Sequence, residues 1–318
     1  MNWHDLDRRA FLKTATATTL SAARRGVACH WAKAAEAAGA IPMRTLGRTG
    51  LRVSIIGLGG YHVGLPEKED YSIAIVHRAL DLGINFFDNA DAYQEGHAEE
   101  RMGKALGGRR QKIILMTKTD QRDAKGSREA LEASLRRLRT DYLDLWQFHA
   151  LGNMRDLEKI FVPGGAMETA ERAKKEGKIR LIGITGHYDP EVLLEAIKRY
   201  PFDTVQMPIN VVDAHFKSFY KTVVDEAVKR GVGVIAMKPL GRGNIVSLGV
   251  AKASEAFWWV WSQPVSVAVA GCEWIDALNE NVYLAKTFQP MPESAQAALL
   301  ERTKRHAGTE IEIYKNWA

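Results

Sequence analysis

The stretch Ile84–Tyr93, INFFDNADAY, decides how this chain is read. Its apolar run, Ile84 to Phe87, has the length and composition of a buried strand, and it stops abruptly at a carboxylate, Asp88. A single phenol, Tyr93, follows in the next few residues, and then the polar, glycine-bearing QEGHAEE. A strand ending in an acid, with a phenol in the loop beyond it, reads as the rim of a site. The plain structural alternative is that Asp88 caps a helix starting near Glu95 while Tyr93 packs in a loop.

The same pattern of apolar run and amphipathic segment extends in both directions. Strands are expected at Val53–Leu58, Asn85–Asp88, Ile113–Lys118, Leu143–His149, Ile179–Thr185, Thr204–Met207, Val232–Met237 and Ser266–Ala270. Amphipathic helices are expected near Tyr71–Leu82, Ala98–Leu106, Arg128–Leu138, Ala166–Glu176, Pro190–Lys198, Ser218–Arg230, Ala251–Ser262 and Trp274–Lys286. Eight such units over about 250 residues indicate an α/β (β/α)₈ TIM barrel. MRTLGRTGLRVS, from Met43, with Gly47 and Gly50 between two extended pieces, predicts an N-terminal β-hairpin closing one end, and Pro292–His306 predicts an extra C-terminal helix. A doubly wound open sheet is the competing architecture, but IIGLGGYHVG after the first strand lacks GxGxxG spacing.

The composition, 46% hydrophobic and 26% charged over 318 residues, is that of a globular chain. The formal net charge of +6 divides unevenly: residues 1–40 hold six basic side chains against three acidic ones, and the remainder 38 against 35. The barrel is therefore close to neutral, so the basic balance gives no reason to expect nucleic acid. Two cysteines, Cys29 and Cys272, make neither a disulfide framework nor a cysteine-rich metal cluster, and no apolar run is long enough to span a membrane. Residues 1–40 read as a separate segment. Arg8-Arg9 before Phe-Leu-Lys, a mild Ala/Thr stretch at Thr14–Ala23 and the small residues Ala38-Gly39-Ala40 before Ile41 resemble a twin-arginine export signal. That resemblance implies the twin-arginine machinery as a partner and a periplasmic location for the 41–318 barrel. A signal that does not function leaves the protein in the cytoplasm with the segment attached.

Three neighbouring strands end in polar side chains: Asp88 on the second, Lys118 on the third (KIILMTK) and His149 on the fourth (LDLWQFH). In an eight-stranded barrel these ends meet at the C-terminal face, where active sites are built. A buried lysine needs an acid partner, and Asp88 on the adjacent strand is the evident one. An ammonium beside Tyr93 is expected to lower the phenol's pKa and make it a proton donor near neutral pH, with His149 orienting a substrate oxygen.

From Met43 to Asn281 the chain resembles the aldo-keto reductases. MRTLGRTGLRVSIIGLGG, NFFDNADAYQEGHAEERMGKAL, KIILMTK, SLRRLRTDYLDLWQFH, GKIRLIGITGH and MKPLGRG follow that family in order. The resemblance implies a catalytic tetrad of Asp88, Tyr93, Lys118 and His149 and an extended nicotinamide cofactor, NADP(H) by family default with NAD(H) as the alternative. It places Thr185 and Gln206 at the nicotinamide, with Gly186 where an asparagine is usual. It places Lys238, Pro239, Leu240, Gly241 and Gly243 around the pyrophosphate, where backbone N–H groups of the PLGRG loop are expected to serve as donors. Gly271, Glu280 and Asn281 fall at the adenosine end. Relatives often hold the 2′-phosphate of NADP with Lys and Arg there, whereas this chain has Gly271 and Ala277, with Glu273 nearby. A carboxylate in that place favours a ribose hydroxyl.

The function implied is reduction of aldehydes or ketones, or oxidation of the corresponding alcohols or sugars. A barrel that binds cofactor or ligand without turnover, as a sensor or partner protein, is the alternative. The substrate is expected to be set by loops Tyr61–Asp70, Asp120–Gly126, Leu151–Gly164 and Val211–Phe216, with Trp146 near the rim and Tyr61 and His62 lining the pocket. No metal site is expected.

Overall fold

The computed structural model describes residues 31–316. Arg8-Arg9 and Thr14–Ala23, which carry the export reading, lie outside the described residues. Of the 1–40 segment, 31–37 are helical and sit on the barrel: Ala35 is buried, and Glu36 pairs with Arg78 at 2.7 Å.

Two short strands, β1 (Met43–Thr45) and β2 (Arg52–Ser54), pair antiparallel as the expected hairpin. The stretch expected as one strand, Val53–Leu58, divides here. Val53 and Ser54 belong to the hairpin, while β3 (Ile56–Gly59) opens the barrel. The break follows from hydrogen bonding: Ile55 N–H donates back to Pro42, while its carbonyl accepts from the Trp261 indole and from Ala268 N–H.

Eight parallel strands close on themselves. After β3 come β4 (Phe86–Asp88), β5 (Ile114–Thr119), β6 (Leu143–Phe148), β7 (Ile179–Thr185), β8 (Thr204–Pro208), β9 (Gly233–Met237) and β10 (Val267–Gly271), and β10 pairs with both β9 and β3. The surrounding helices are α1 (Glu69–Asp81), α2 (His97–Ala105), α3 (Ala124–Leu138), α4 (Met154–Phe161), α5 (Ala166–Lys175), α6 (Pro190–Arg199), α7 (Phe219–Lys229), the short α8 (Asn244–Ser247), α9 (Ala253–Ser262), α10 (Ile275–Lys286) and the extra C-terminal α11 (Glu293–Thr303). Four of them start on side-chain caps, Asp123, Asn153, Asp189 and Ser218, each satisfying an amide the helix leaves unpaired. One is α4, which lies inside Leu151–Gly164. That segment is not a plain loop: the Asn153 cap opens a helix burying Leu157 and Ile160.

The period-2 alternation of strands sorts the residues into two populations. Leu115, Trp146, Phe148, Ile182, Ile184 and Val205 point outward and pack under the helices. Phe86, Ile114, Met116, Leu145, Ile235, Val267 and Val269 point inward and form a separate cluster plugged from below by Leu46 and Val53 of the hairpin. Trp146 is therefore not a rim residue: it faces the helices, almost wholly buried. Continuing the inward parity one step up each strand brings Asp88 above Phe86, Lys118 above Met116, and Gln147 then His149 above Leu145. The apolar plug ends where the polar layer begins.

Candidate active site

That polar layer is tightly connected. Lys118 Nζ lies 2.6 Å from Asp88 Oδ1, 2.7 Å from the Asn89 carbonyl oxygen and 3.3 Å from the Tyr93 hydroxyl. Asp88 Oδ2 accepts from Gln206 Nε2, whose own Oε1 accepts from Gln147 Nε2 at 2.7 Å. His149 stands on the far side of Tyr93, their ring centroids 5.8 Å apart and edge-on. The four residues expected to act together are thus brought into one layer, from β4, β5, the end of β6 and the loop after β4.

Tyr93 owes its place to a sharp reversal. Gln94 and Glu95 both adopt left-handed backbone, with φ of 46° and 56°, before Gly96 at 95°. The helix that follows does start close to Glu95, at His97, but its N-cap is Gly96 and both Asp88 oxygens are taken by Lys118 and Gln206, so Asp88 is not its cap. A non-glycine residue in this region costs roughly 1–2 kcal/mol. Ala150 after His149, and Lys238 and Arg242 after β9, share this strain. Left-handed residues held by their surroundings cluster where geometry is functionally constrained.

The electrostatics correct one expectation. Tyr93 was expected to titrate low beside the ammonium, yet its phenol is held above the ordinary value. Burial dominates, and although Lys118 pulls the other way, Asp88 and Asp120 add to the rise. Burial likewise pulls the Lys118 ammonium down, but Asp88 and Tyr93 together outweigh it and keep the lysine charged. The state at neutral pH is a neutral phenol against a charged lysine, with a hydroxyl hydrogen to donate. Burial holds His149 below its usual value, against the opposing pull of Asp120, and drives the neighbouring His187 well below.

The residues expected to hold a cofactor are placed as follows. Gln206 spends one amide hydrogen on Asp88 and accepts one bond from Gln147, which leaves one hydrogen and one lone pair. The Thr185 hydroxyl accepts from Ala150 N–H at 2.8 Å and keeps its own hydrogen. The glycine at 186 has a packing cause, because a side chain there would meet the Leu151 carbonyl and Leu193 at 3.1 Å. In the turn after β9, Gly241 N–H donates to Lys238 and Gly243 N–H to Leu240, so these two amides close the turn rather than face a phosphate. Lys238 and Arg242 are the cations of this turn, with Pro239 buried between Lys238 and Leu240. Burial, helped by Arg242 and Lys118, brings Lys238 down to about 7. Gly271 carries the His62 ring against it, where a Cβ would overlap the imidazole. On α10, Asn281 is buried with its amide on Cys272, and Glu280 is half-buried. No group of three or more metal-ligating side chains occurs among the described residues.

Several site neighbours escaped the sequence reading. Gln147 has the same parity as His149 in LDLWQFH, a signal that was available. Asp120, expected only as the start of a substrate loop, lies two residues past Lys118 with its Oδ1 3.1 Å from His149 Nδ1. Tyr314 arrives from the C-terminal tail, its ring 6.5 Å from His187 and under Lys238 Nζ at 5.1 Å. It is anchored by a wholly buried group in which Lys315 Nζ meets Asp213 Oδ1 and Glu312 Oε2, each at 2.7 Å. Nothing in the local pattern of EIEIYKNWA announces that anchorage.

Comparison with known proteins agrees with this architecture. The model of the Aldo/keto reductase family matches residues 55–286. An uncharacterized oxidoreductase, YqkF, of Bacillus subtilis is 31% identical over 67% of this chain and 69% of its own length. L-galactose dehydrogenase of Arabidopsis thaliana is 32% identical over 66% and 68%. Among solved structures, the holo form of aldo-keto reductase AKR11C1 from Bacillus halodurans superposes with a TM-score of 0.72 at 28% identity, covering 86% of this chain and 99% of that one. A closed eight-stranded barrel carrying a buried lysine–carboxylate pair beside a phenol, and a family match over most of the chain, lead to one conclusion: this protein belongs to the aldo/keto reductase family of oxidoreductases.

Proposed function

We propose that the chain interconverts a small carbonyl compound and its alcohol using a nicotinamide cofactor, with Tyr93 as proton donor. The observation that carries this reading is the neutral Tyr93 phenol held 3.3 Å from a Lys118 ammonium that is itself neutralised by Asp88 at 2.6 Å. The net reaction is carbonyl + NAD(P)H + H⁺ ⇌ alcohol + NAD(P)⁺. When bound, the cofactor supplies or accepts the hydride.

The protein's own part is proton placement and orientation. Lys118 donates to the Tyr93 oxygen, which turns the phenol's hydrogen outward to a substrate oxygen. As that hydrogen is given up, the ammonium stabilises the phenolate left behind. Donors already aimed at developing charge are the main source of rate enhancement expected in such a site. The Asp88–Gln206–Gln147 chain fixes the Lys118 position from below.

The residues present fit a dinucleotide. Thr185 and Gln206 retain donor and acceptor capacity for a carboxamide, and Lys238 and Arg242 supply positive charge at the glycine turn. Glu273, with glycine and alanine at 271 and 277, weakens the case for a 2′-phosphate, so NADH stands beside NADPH as cofactor. Fluorescence titration with each cofactor, joined to a steady-state survey of aldehydes, ketones and sugars, tests the proposal. Micromolar binding with turnover of at least one substrate supports it. Binding without turnover of any class favours the sensor alternative, and no binding of either cofactor refutes both.

The twin-arginine-like leader adds export as a proposal, with the folded barrel carrying its cofactor along. Recovery of the mature protein from the periplasmic fraction is expected, and full-length protein confined to the cytosol contradicts it.

A further inference from the structure

We propose that Asp120 is a positioning residue: it holds the His149 imidazole through Nδ1 and so decides which ring nitrogen carries the hydrogen that faces substrate. This rests on the oxidoreductase reading above.

The two side chains are brought together by the backbone. His149 N–H donates to the Thr119 carbonyl at 2.8 Å, and the His149 carbonyl accepts from Arg122 at 2.6 Å. Both faces of the His149 peptide are thus pinned to the turn that ends β5, and Asp120 is the side chain of that turn. Its Oδ1 lies 3.1 Å from Nδ1, a distance within hydrogen-bonding range. The approach is bent, so Nδ1, which is buried, has no aligned partner. In this proposal the half-exposed Asp120 side chain turns to align with Nδ1. The other charged or titratable groups facing this imidazole are Lys118 from β5, Asp88 from β4, Tyr93 from the loop after β4, and His187 from the loop after β7. Arg122 meets its backbone.

A carboxylate can only accept, so an aligned Asp120 requires the hydrogen on Nδ1. The neutral ring then presents a bare lone pair at Nε2. Tyr93 presents the opposite polarity: Lys118 donates to its oxygen, leaving its own hydrogen to give. One donor and one acceptor facing a single ligand oxygen match an alcohol hydroxyl in the resting complex, which accepts from Tyr93 and donates to Nε2; oxidation proceeds once Tyr93 has lost its own hydrogen to solvent and its phenolate, beside Lys118, takes the hydroxyl proton. A carbonyl oxygen can use only the first of these. Two donors for a carbonyl become available when Nε2 is protonated and the ring is cationic. Burial disfavours the cation, and the Asp120 carboxylate partly restores it.

The consequence is specific to this chain. At neutral and alkaline pH the site suits the hydroxyl form of the substrate, an alcohol or the hydroxyl of a cyclic sugar. Carbonyl binding improves as pH falls and the imidazole charges. The equilibrium of the reaction is unaffected, and the effect appears in how the two Michaelis constants vary with pH.

The test combines ¹⁵N NMR of histidine-labelled protein with pH-dependent kinetics in both directions. Signals of His149 are assigned by their loss in His149→Gln. The expected wild-type spectrum shows a protonated Nδ1 and an unprotonated Nε2 at pH 8. In Asp120→Asn the amide donates to Nδ1 and the tautomer reverses. The alcohol KM then rises by up to about tenfold, the scale of one lost hydrogen bond, while the carbonyl KM at neutral pH falls. Loss of the carboxylate also lowers the imidazole pKa, so the acid limb of alcohol oxidation moves to lower pH. Asp120→Glu restores the wild-type tautomer. A wild-type ring already protonated at Nε2, or an Asp120→Asn protein with an unchanged tautomer and unchanged KM profiles, overturns the proposal. A protonated Nδ1 in a protein that turns over no substrate sustains the role of Asp120 and defeats the oxidoreductase reading instead.

Discussion

Replacing Lys118 with methionine probes the energetics on which the site stands. Lys118 is 1% exposed, and Asp88 beside it 3%. Methionine fills much of the lysine stem's volume but removes three donated bonds, to Asp88, the Asn89 carbonyl and Tyr93. Asp88 then keeps a single side-chain donor, Gln206, and carries a charge with no counterion in a water-poor layer. Breaking a buried pair in this way costs about 3–5 kcal/mol, because the remaining charge stays desolvated. At roughly 2–4 °C per kcal/mol for 150–250 residues, and less for a longer chain, the melting temperature should fall by at most roughly 6–20 °C. The penalty belongs to the orphaned charge rather than to lost volume, so Lys118→Met/Asp88→Asn should recover most of it. Neither variant should reduce carbonyls, because both lack the ammonium that stabilises the phenolate. Urea unfolding followed by circular dichroism measures both free energies, with cofactor-coupled absorbance for turnover. A single variant within about 1 kcal/mol of wild type would falsify the claim of a buried, coupled pair, and so would a double variant no more stable than the single.

Lys315→Met removes the counterion of two buried carboxylates, Asp213 and Glu312. It should cost about 3–5 kcal/mol and free the tail, read as faster proteolysis after residue 311 with Tyr314 released from the site. Unchanged protease resistance would contradict the anchoring role. Gly103→Ala drives a methyl to 2.3 Å from the Arg137 carbonyl, which does not yield, and should destabilise the α2–α3 contact by about 1–3 kcal/mol in thermal melts. Lys238 titrates near 7 in the free protein, and a bound phosphate raises that value by favouring the charged form. Binding therefore takes up a proton, and cofactor affinity should weaken as pH rises above 7, by up to about tenfold per unit. Lys238→Met should abolish that dependence. A flat wild-type affinity between pH 6 and 9 would show that Lys238 does not meet the anion.

Much of this fold was legible because a parallel barrel writes itself locally. Each buried strand is a short apolar run, each main helix an amphipathic stretch, and the alternation runs from β3 to α10 with only α4 and α8 added to it. The side chains proposed for catalysis were legible for the same reason, since Asp88, Lys118 and His149 each stand at the end of such a run. What stayed hidden depended on contacts between distant segments. The division of Val53–Leu58 is set by donors more than 200 residues away, the Trp261 indole and the Ala268 amide, and α4 announces itself only through the Asn153 cap. The direction of the Tyr93 shift turns on how deeply the phenol is enclosed, which its neighbours in sequence do not reveal. Asp120 and Tyr314 reach the site through a strand-end turn and a tail.

The most direct test is single-turnover hydride transfer by Tyr93→Phe, mixed in stopped flow with reduced cofactor and an aldehyde that the wild type reduces. The phenyl ring keeps the edge contact with His149 and removes only the hydroxyl. The expected result is a folded protein that binds cofactor as wild type does and transfers hydride about 10²–10⁴-fold more slowly. A variant that turns over at the wild-type rate would mean that the proton comes from another group, and that the pairing of Asp88, Lys118 and Tyr93 serves structure alone.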